Sequence, residues 1–154
     1  AVKNPKIVIA PVGTRISHLM NELEFNGEVG KVVIGGPMNG NATVSVDSPI
    51  VKVSNCILAF DEKRATLPEP SACIRCGRCM EKCPVDINIG AVEYAMKIKN
   101  EEKREAALID TGVRQCVDCG CCSYVCPANR PLVQNNRLAK TSYRAYKARK
   151  TELK

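Results

Sequence analysis

The sequence predicts an α+β protein made of two successive parts, a small α+β unit and a helical, cysteine-rich unit. In the first part, β-branched runs at Lys31–Ile34 and Ile50–Phe60 occur with one segment of helical periodicity, which indicates strands beside a helix. In the second part, two cysteine runs alternate with segments that carry helix-start signals. The stretch 61–70 is charged and contains prolines, and it predicts a linker. We therefore expect domains at 1–60 and 71–154.

Shorter segments complete the first unit. Lys6–Pro11 is β-rich and stops at a proline, so it predicts a short strand, and Thr43–Val46 predicts another. Between them, apolar residues recur at i, i+3, i+4 and i+7 from Ile16, which predicts a helix with Thr14 as its N-cap. His18 lies off this apolar stripe, and we expect it to be solvated rather than to bind a ligand.

Two turns are predicted in the same unit. Asn26-Gly27 is a turn signal, and Gly35–Gly40 is a glycine-rich turn that follows the strand at Lys31–Ile34. A phosphate-binding loop would require a lysine where Asn41 stands, and the glycines do not have the G-x-G-x-x-G spacing. We favour a tight structural turn, and contact with a phosphate or cofactor stays open as the alternative.

The cysteines form two runs of the same pattern. Cys73–Pro84 and Cys116–Pro127 both fit C-x2-C-x2-C-x3-C-P, the pattern by which bacterial ferredoxins hold [4Fe-4S] clusters. Three thiolates two residues apart let one tight loop reach three corners of a cubane, and Gly77 and Gly120 ease the backbone turn. The pattern therefore predicts two [4Fe-4S] clusters and electron transfer.

The fourth corner of each cluster must come from outside its loop. In two-cluster proteins it is supplied by the cysteine before the proline of the other run. This rule divides the motif cysteines between the clusters: Cys73, Cys76, Cys79 and Cys126 bind the first, and Cys116, Cys119, Cys122 and Cys83 bind the second. We expect no catalytic residues, because electron transfer makes and breaks no substrate bond.

Other cysteine chemistries explain the pattern less well. Neighbours such as Cys121 and Cys122 suit disulfides poorly, and a zinc site built from two C-x2-C pairs leaves the remaining cysteines and both prolines unexplained. Cys121 aligns with Arg78 of the first run, and we expect a small packed thiol beside a cluster. Cys56 stands in a strand-like run, where we expect a core position.

Charge gives two further expectations. The formal net charge is +7, but a cubane with four thiolates contributes about −2, so two clusters would leave roughly +3. This weakens a nucleic-acid-binding interpretation. We also expect Arg75 and Arg78 to raise the reduction potential of the first cluster relative to the second, which has Asp118 nearby.

Helices are predicted around the cysteine runs. Ala91–Met96 has helical periodicity, and Asn100 with two following glutamates predicts the capped start of another helix that ends near Gly112. After Pro131 the sequence predicts one long helix, with a basic run from Arg137 to Lys154. Its basic face is either solvated or a docking face for an acidic carrier or a membrane subunit.

The sequence contains no apolar stretch that approaches the roughly 20 residues required to cross a bilayer. We therefore expect the chain by itself to be soluble. It begins at Ala1 without an initiator methionine, and we expect a fragment of a longer protein.

Seven stretches spread over most of the chain carry a family resemblance: Lys3-Asn-Pro5, Pro11-Val-Gly-Thr14, Gly35-Gly-Pro-Met38 with Gly40, Ser48-Pro-Ile-Val-Lys52, Cys73-Ile-Arg-Cys-Gly-Arg-Cys79, Cys119-Gly-Cys-Cys-Ser-Tyr-Val-Cys-Pro127 and Pro131-Leu-Val-Gln134. With them the chain resembles the C-terminal part of the RnfC subunit of the Rnf electron-transport complex. The cysteine motifs are shared by many cluster proteins, and the Gly-Gly-Pro-Met turn that precedes them points to this family.

The resemblance implies a fold and a role. The first unit would be a soluble-ligand-binding (SLBB) β-grasp domain, and the second an α-helical ferredoxin domain with two [4Fe-4S] clusters. FMN and NADH would bind only in an N-terminal domain that this chain does not match, and the partners would be other redox subunits of a membrane-bound complex, or ferredoxin. The chain would then be cytoplasmic and peripheral on the inner face of the plasma membrane, within a ferredoxin:NAD oxidoreductase complex.

Two alternatives stay open beside this role. Relatives with the same layout serve proline reductase and cobalamin reductase systems, so the chain could be an electron-transfer adaptor of another reductase. In the other alternative, the chain is an interaction module whose clusters are structural.

Overall fold

The computed structural model describes residues 2–24 and 29–152, and the chain divides into two compact units. Unit 1 ends at Pro68, and unit 2 begins at Glu69. This boundary falls inside the stretch 61–70, where the sequence predicts a linker.

Unit 1 is built on a three-stranded antiparallel sheet in the order β2-β1-β3. The central strand β1 (Val29–Ile34) lies between β2 (Asn41–Ala42) and β3 (Ile57–Asp61). Val33 pairs with Leu58 of β3 on one side and with the second residue of β2 on the other. The strand predicted in this region is confirmed, and it begins two residues earlier than predicted.

The helix predicted in unit 1 is confirmed as α1 (Ile16–Glu22), whose first residue is fully buried. Its predicted N-cap is wrong, because the capping position is Arg15 and no side chain bonds the free backbone amides. The hydroxyl of Thr14 is engaged elsewhere and donates to the carbonyl of Pro11 over 2.8 Å. His18 is exposed, as predicted.

A second short helix, α2 (Glu62–Ala65), lies within the stretch 61–70. Asp61 caps it by accepting a hydrogen bond from the backbone amide of Arg64 over 2.8 Å. The helix packs on β1 at Gly30, where a Cβ atom would lie 2.6 Å from the Cα atom of the first helical residue. The first half of this stretch is therefore folded as part of unit 1.

The strand predicted at Lys6–Pro11 is not formed. Ile7 and Ile9 in this segment are 99% and 100% exposed. A β-rich segment becomes a strand only when a neighbour takes up its backbone hydrogen bonds, and among the described residues no strand lies beside this one. Local composition therefore overstates the strand content here.

Two further predicted strands are wrong or shorter than expected. Thr43–Val46 is a turn, in which the hydroxyl of Thr43 donates to the carbonyl of Ser45 over 2.8 Å. Only the last four residues of Ile50–Phe60 enter β3, because they alone lie opposite β1. Cys56 consequently precedes the strand and is exposed, so its predicted core position is wrong.

The glycine-rich stretch Gly35–Gly40 forms a tight turn, as predicted. The amide of Gly40 donates to the carbonyl of Gly36 over 2.8 Å, and a Cβ atom at the same position would lie 2.6 Å from that oxygen. Gly35 has a φ of +105°, which side chains disfavour. The turn predicted at Asn26-Gly27 lies outside the described residues.

Unit 2 is helical, and no helix in the described part of the chain is long and apolar enough to cross a membrane. Asn100 caps one helix by accepting a hydrogen bond from the amide of Lys103 over 2.9 Å, which confirms the predicted helix start. The long helix predicted after Pro131 is also confirmed. The helices are α3 (Arg78–Glu81), α4 (Ile89–Ala95), α5 (Glu101–Ile109), α6 (Cys121–Tyr124) and α7 (Leu132–Glu152), with a 3-10 turn at Val113–Gln115.

The core of unit 2 lies where α4, α5 and α7 meet. Val92, Leu108 and Ala139, one from each helix, are completely buried there. Half-buried cysteines of both motif runs pack against this core: Cys79, Cys83, Cys116 and Cys126. The helical core therefore positions the cysteines.

Replacing Leu108 by alanine should lower the free energy of unfolding of unit 2 by about 2–5 kcal/mol, because it leaves a cavity at a fully buried site. Ile109→Ala is the matched control, since this neighbour of similar size is 54% exposed and its loss should cost less than about 1 kcal/mol. Urea unfolding of the iron-loaded protein, followed by circular dichroism without oxygen, measures both. Equal losses would contradict the burial of Leu108 and the exposure of Ile109.

Candidate metal centres

Four cysteines of unit 2 line one cavity of about 500 Å³. These are Cys73, Cys76 and Cys79 of the first run and Cys126 of the second. Cys73 and Cys76 are exposed, whereas Cys79 and Cys126 are half-buried. Burial raises the pKa of the Cys79 thiol, and the neighbouring thiols of Cys126 and Cys73 raise it further. The cysteines expected to bind the first cluster therefore surround one space.

The cysteines expected to bind the second cluster line another, much smaller cavity of about 10 Å³. Burial raises the pKa of Cys122 to about 11, and burial also raises the pKa of Cys116. Cys121 lines this cavity and is half-buried, in agreement with a packed thiol beside the site. The set comprises Cys116, Cys119 and Cys122 of the second run and Cys83 of the first.

The two runs fold in the same way. Gly77 and Gly120 are the N-caps of α3 and α6, the helices that carry the third cysteine of each run. Non-glycine residues adopt positive φ only where their surroundings impose it. We infer that the backbone of each loop is bent so that its three thiols face one space. Equivalent residues with positive φ are Arg75 and Asp118 (57° and 55°), Gly77 and Gly120 (77° and 82°), and Asp86 and Asn129 (51° each).

Arg130 connects the two runs beside the first cavity. Its Nε donates to Glu93 Oε2 over 3.0 Å, and its Nη1 donates to the carbonyl of Ser71 over 3.1 Å. Its Nη2 also donates to Glu93, which accepts a further bond from Asn135. The bonds to Glu93 raise the pKa of Arg130. This network holds α4, the start of α7 and the segment before Cys73 together.

Hydrogen bonds from residues outside the cysteine loops reach sulfur atoms of the second set. The amide of Ile87 donates to Cys83 Sγ over 3.4 Å, and Asn136 Nδ2 donates to Cys116 Sγ over 3.8 Å. Hydrogen bonds to ligand sulfurs are among the factors that set the reduction potential of iron-sulfur clusters. The chain thus contacts the second site with groups that the cysteine motif does not include.

Asp118 next to this site is paired with a cation from α7. Its Oδ1 lies 3.3 Å from Cys116 Sγ, and Lys140 Nζ donates both to its Oδ2 and to the carbonyl of Cys116 over 2.9 Å. Burial alone would raise the pKa of Asp118, but the bonds from Lys140 and Cys116 hold it below the ordinary value. The ion pair weakens the expectation that Asp118 lowers the potential of the second cluster.

Sequence reasoning missed Asn136 and assigned Lys140 to the basic face of a long helix. Both side chains contact the second site instead. Their spacing of one helical turn places them on one face of α7, but it does not show which element that face packs against. No motif in the sequence marks them.

The donor atoms of both sites fit an iron-sulfur cubane. Each site offers four cysteine sulfurs, the soft ligands that iron-sulfur clusters require. Among residues 2–24 and 29–152, no three His, Cys, Asp or Glu side chains converge closely enough to hold a single metal ion. In a cubane each thiolate binds a different iron, so the ligands need not meet at one point. Because burial favours the protonated thiols, iron must displace their protons when it binds.

Comparisons with known proteins agree with this chemistry. Residues 66–128 match the family of the 4Fe-4S dicluster domain. The C subunit of the proton-translocating ferredoxin:NAD+ oxidoreductase complex of Clostridium ljungdahlii is 36% identical over 113 residues, which are 71% of this chain and 25% of that protein. The C subunit of the Na+-translocating ferredoxin:NAD+ oxidoreductase complex of Acetobacterium woodii is 32% identical over 99 residues, 63% of this chain and 22% of that protein.

A third relative is the C subunit of the ion-translocating oxidoreductase complex of Citrobacter koseri, which is 35% identical over 108 residues, 69% of this chain and 15% of that protein. The chain thus spans a quarter or less of the length of these relatives. The dicluster match and the thiol sites define its class, an iron-sulfur protein that transfers electrons. Within this class the chain is a homologue of the RnfC subunits, the C subunits of Rnf-type ion-translocating oxidoreductase complexes, and it matches a part of such proteins.

Single cysteine replacements should separate the two sites. Cys126→Ala should remove the same electron paramagnetic resonance signal as Cys73→Ala, and Cys83→Ala should remove the other signal, because the fourth ligand crosses between the runs. Cys121→Ala is the matched control, since its thiol lines the second cavity without being an expected ligand, and the iron content should stay unchanged. Spectra of the reduced variants and iron analysis measure these effects. The assignment fails if Cys126→Ala removes the signal that depends on Cys116.

Proposed function

We propose that this chain conducts single electrons through two [4Fe-4S] clusters. The grouping of eight thiols around two cavities, each group drawn from both runs, is the observation that supports the proposal. The first cluster is held by Cys73, Cys76, Cys79 and Cys126, and the second by Cys83, Cys116, Cys119 and Cys122.

The exposure of each cysteine site determines where electrons enter and leave the chain. Each bound cluster supplies a centre that accepts and releases one electron. Cys73 and Cys76 are exposed, so the first site faces the partner protein, whereas Cys122 is buried and the second site exchanges electrons through the first. Ile89 is 2% exposed and lines both cavities, so an apolar side chain lies between the sites. No proton or bond transfer accompanies the step within the chain.

Within the parent protein, electrons pass between NADH-reduced FMN and other redox subunits or ferredoxin. FMN and NADH bind in an N-terminal domain that lies outside this sequence. This role is supported by two relatives that are named as subunits of ferredoxin:NAD+ oxidoreductase complexes. In the proposal, the parent protein is cytoplasmic and sits peripherally on the inner face of the plasma membrane.

For unit 1 we propose an SLBB-like β-grasp domain over residues 1–60 with α2 packed on it, so that the linker expected at 61–70 is confined to the second half of that stretch, and for unit 2 we propose the ferredoxin domain at 71–154. The antiparallel sheet accompanied by α1 supports the first assignment. The boundary between Pro68 and Glu69 supports the division of the chain. In this arrangement unit 1 carries no redox centre, and unit 2 carries both.

Protein purified without oxygen should contain about eight iron and eight acid-labile sulfide per chain, as two cubanes require. Its brown colour should bleach on reduction with dithionite, because both clusters accept an electron. Chemical iron and sulfide analysis, with spectra recorded before and after reduction, measures this. Zinc without sulfide would exclude the proposal, and full iron without bleaching would favour clusters that are only structural.

A further inference from the structure

Asn136 occupies an unusual position beside the second site. Its side chain belongs to α7 and is 1% exposed, and its Nδ2 donates to Cys116 Sγ over 3.8 Å. Its Oδ1 is also buried and finds no hydrogen-bond partner among the described residues. A buried amide with an unsatisfied oxygen costs free energy, and an apolar side chain would avoid that cost. Core stability therefore does not explain an amide at this position, whereas a functional role at the second site does.

Lys140 lies one helical turn further along α7 and faces the same loop. Only 14% of its side chain is exposed, although lysine side chains are mostly found in solvent. Its ammonium group donates to the carbonyl of Cys116 and to Asp118 Oδ2, each over 2.9 Å. Both side chains thus bond to the same loop. Asn136 bonds the sulfur of Cys116, and Lys140 bonds its backbone carbonyl and the carboxylate of Asp118.

This arrangement matters once Cys116 binds iron. A coordinated thiolate has no proton to donate, so its sulfur and Asp118 Oδ1, which lie 3.3 Å apart, become two neighbouring negative groups. The ammonium group of Lys140 offsets that repulsion. The amide of Asn136 supplies the sulfur with a hydrogen bond that does not depend on a thiol proton.

We propose that Asn136 and Lys140 are positioning residues that raise the reduction potential of the second cluster through Cys116. Reduction adds one electron to the cluster and changes no bond, so the site gains one negative charge that is shared with its thiolate sulfurs. A donor to sulfur and a nearby cation stabilise this extra charge more than they stabilise the oxidised site. The inference rests on the proposed function, because it requires Cys116 to be a cluster ligand.

The test is a redox titration of the full iron-loaded chain, monitored by electron paramagnetic resonance with dithionite as reductant. Asn136→Leu removes the donor and keeps the number and branching of the side-chain heavy atoms, and Lys140→Met removes the charge but keeps the apolar stem. Each should lower the potential of the signal that Cys116→Ala abolishes. A tenfold fall in the reduced-to-oxidised ratio at fixed potential corresponds to about 59 mV for one electron. The signal that depends on Cys73 should shift less, because the described contacts of both residues are with Cys116 and Asp118 of the second site.

Matched controls come from the same helix. Gln134→Leu and Lys147→Met make the same chemical changes at exposed positions of α7, and both potentials should stay unchanged. Asp118→Asn should move the second potential in the opposite direction, because it removes a negative charge from the site. Lys140→Arg keeps the charge and should restore the potential that Lys140→Met loses.

The possible outcomes separate the inference from the proposed function. If the unmodified chain lacks two reducible clusters, the proposed function fails, and this inference fails with it. If both clusters are present and neither Asn136→Leu nor Lys140→Met shifts the second potential, only the inference is overturned. It is also overturned if both variants simply lose the iron of the second site, since the residues would then support assembly rather than tune the potential.

Discussion

Each group of four cysteines is drawn from both motif runs, and this crossing constrains the whole of unit 2. Cys126 must return to the first run, and Cys83 must reach the second. The chain between the runs therefore cannot be a loose connection. It forms α4 and α5, which pack with α7 into the core against which the cysteines lie. The bonds of Arg130 to Glu93 and to the carbonyl of Ser71 join the segment after Cys126 to α4 and to the segment before Cys73.

The same constraint explains where the backbone departs from common conformations. Arg75 and Asp118 occupy equivalent positions between the first two cysteines of their runs, and both have positive φ although neither is glycine. Such conformations cost of order 1–3 kcal/mol each and persist only where the surroundings demand them. Metal-thiolate bonds are strong enough to meet that cost, since small metal-binding domains derive much of their folding energy from the metal. The positive φ at the same position of both runs thus indicates that the loop conformation serves ligand binding and not only the fold.

Sequence reasoning succeeded where the signal is local and failed where it depends on a partner. The helix capped by Asn100 and the long α7 are visible in the sequence, because caps and periodicity are properties of the segment itself. The strand at Lys6–Pro11 was not formed, because strand pairing requires a neighbour that composition does not reveal. Cys56 was misplaced for the same reason. Asn136 and Lys140 could not be assigned to the site, because their role depends on which loop α7 contacts.

The start of α7 and one residue of α4 determine how the two sites relate to each other. Leu132 lines the first cavity, whereas Val133 and Asn136 line the second, so the first turn of one rigid helix lies between the sites. Ile89 at the start of α4 lines both. Because these apolar side chains are buried, a change of charge at one site is weakly screened at the other. The reduction potential of each cluster therefore depends more on the protein groups that contact its sulfurs than on surface charges. Asn136 lies on α7, the helix between the sites, and contacts the second site, which is the more buried of the two.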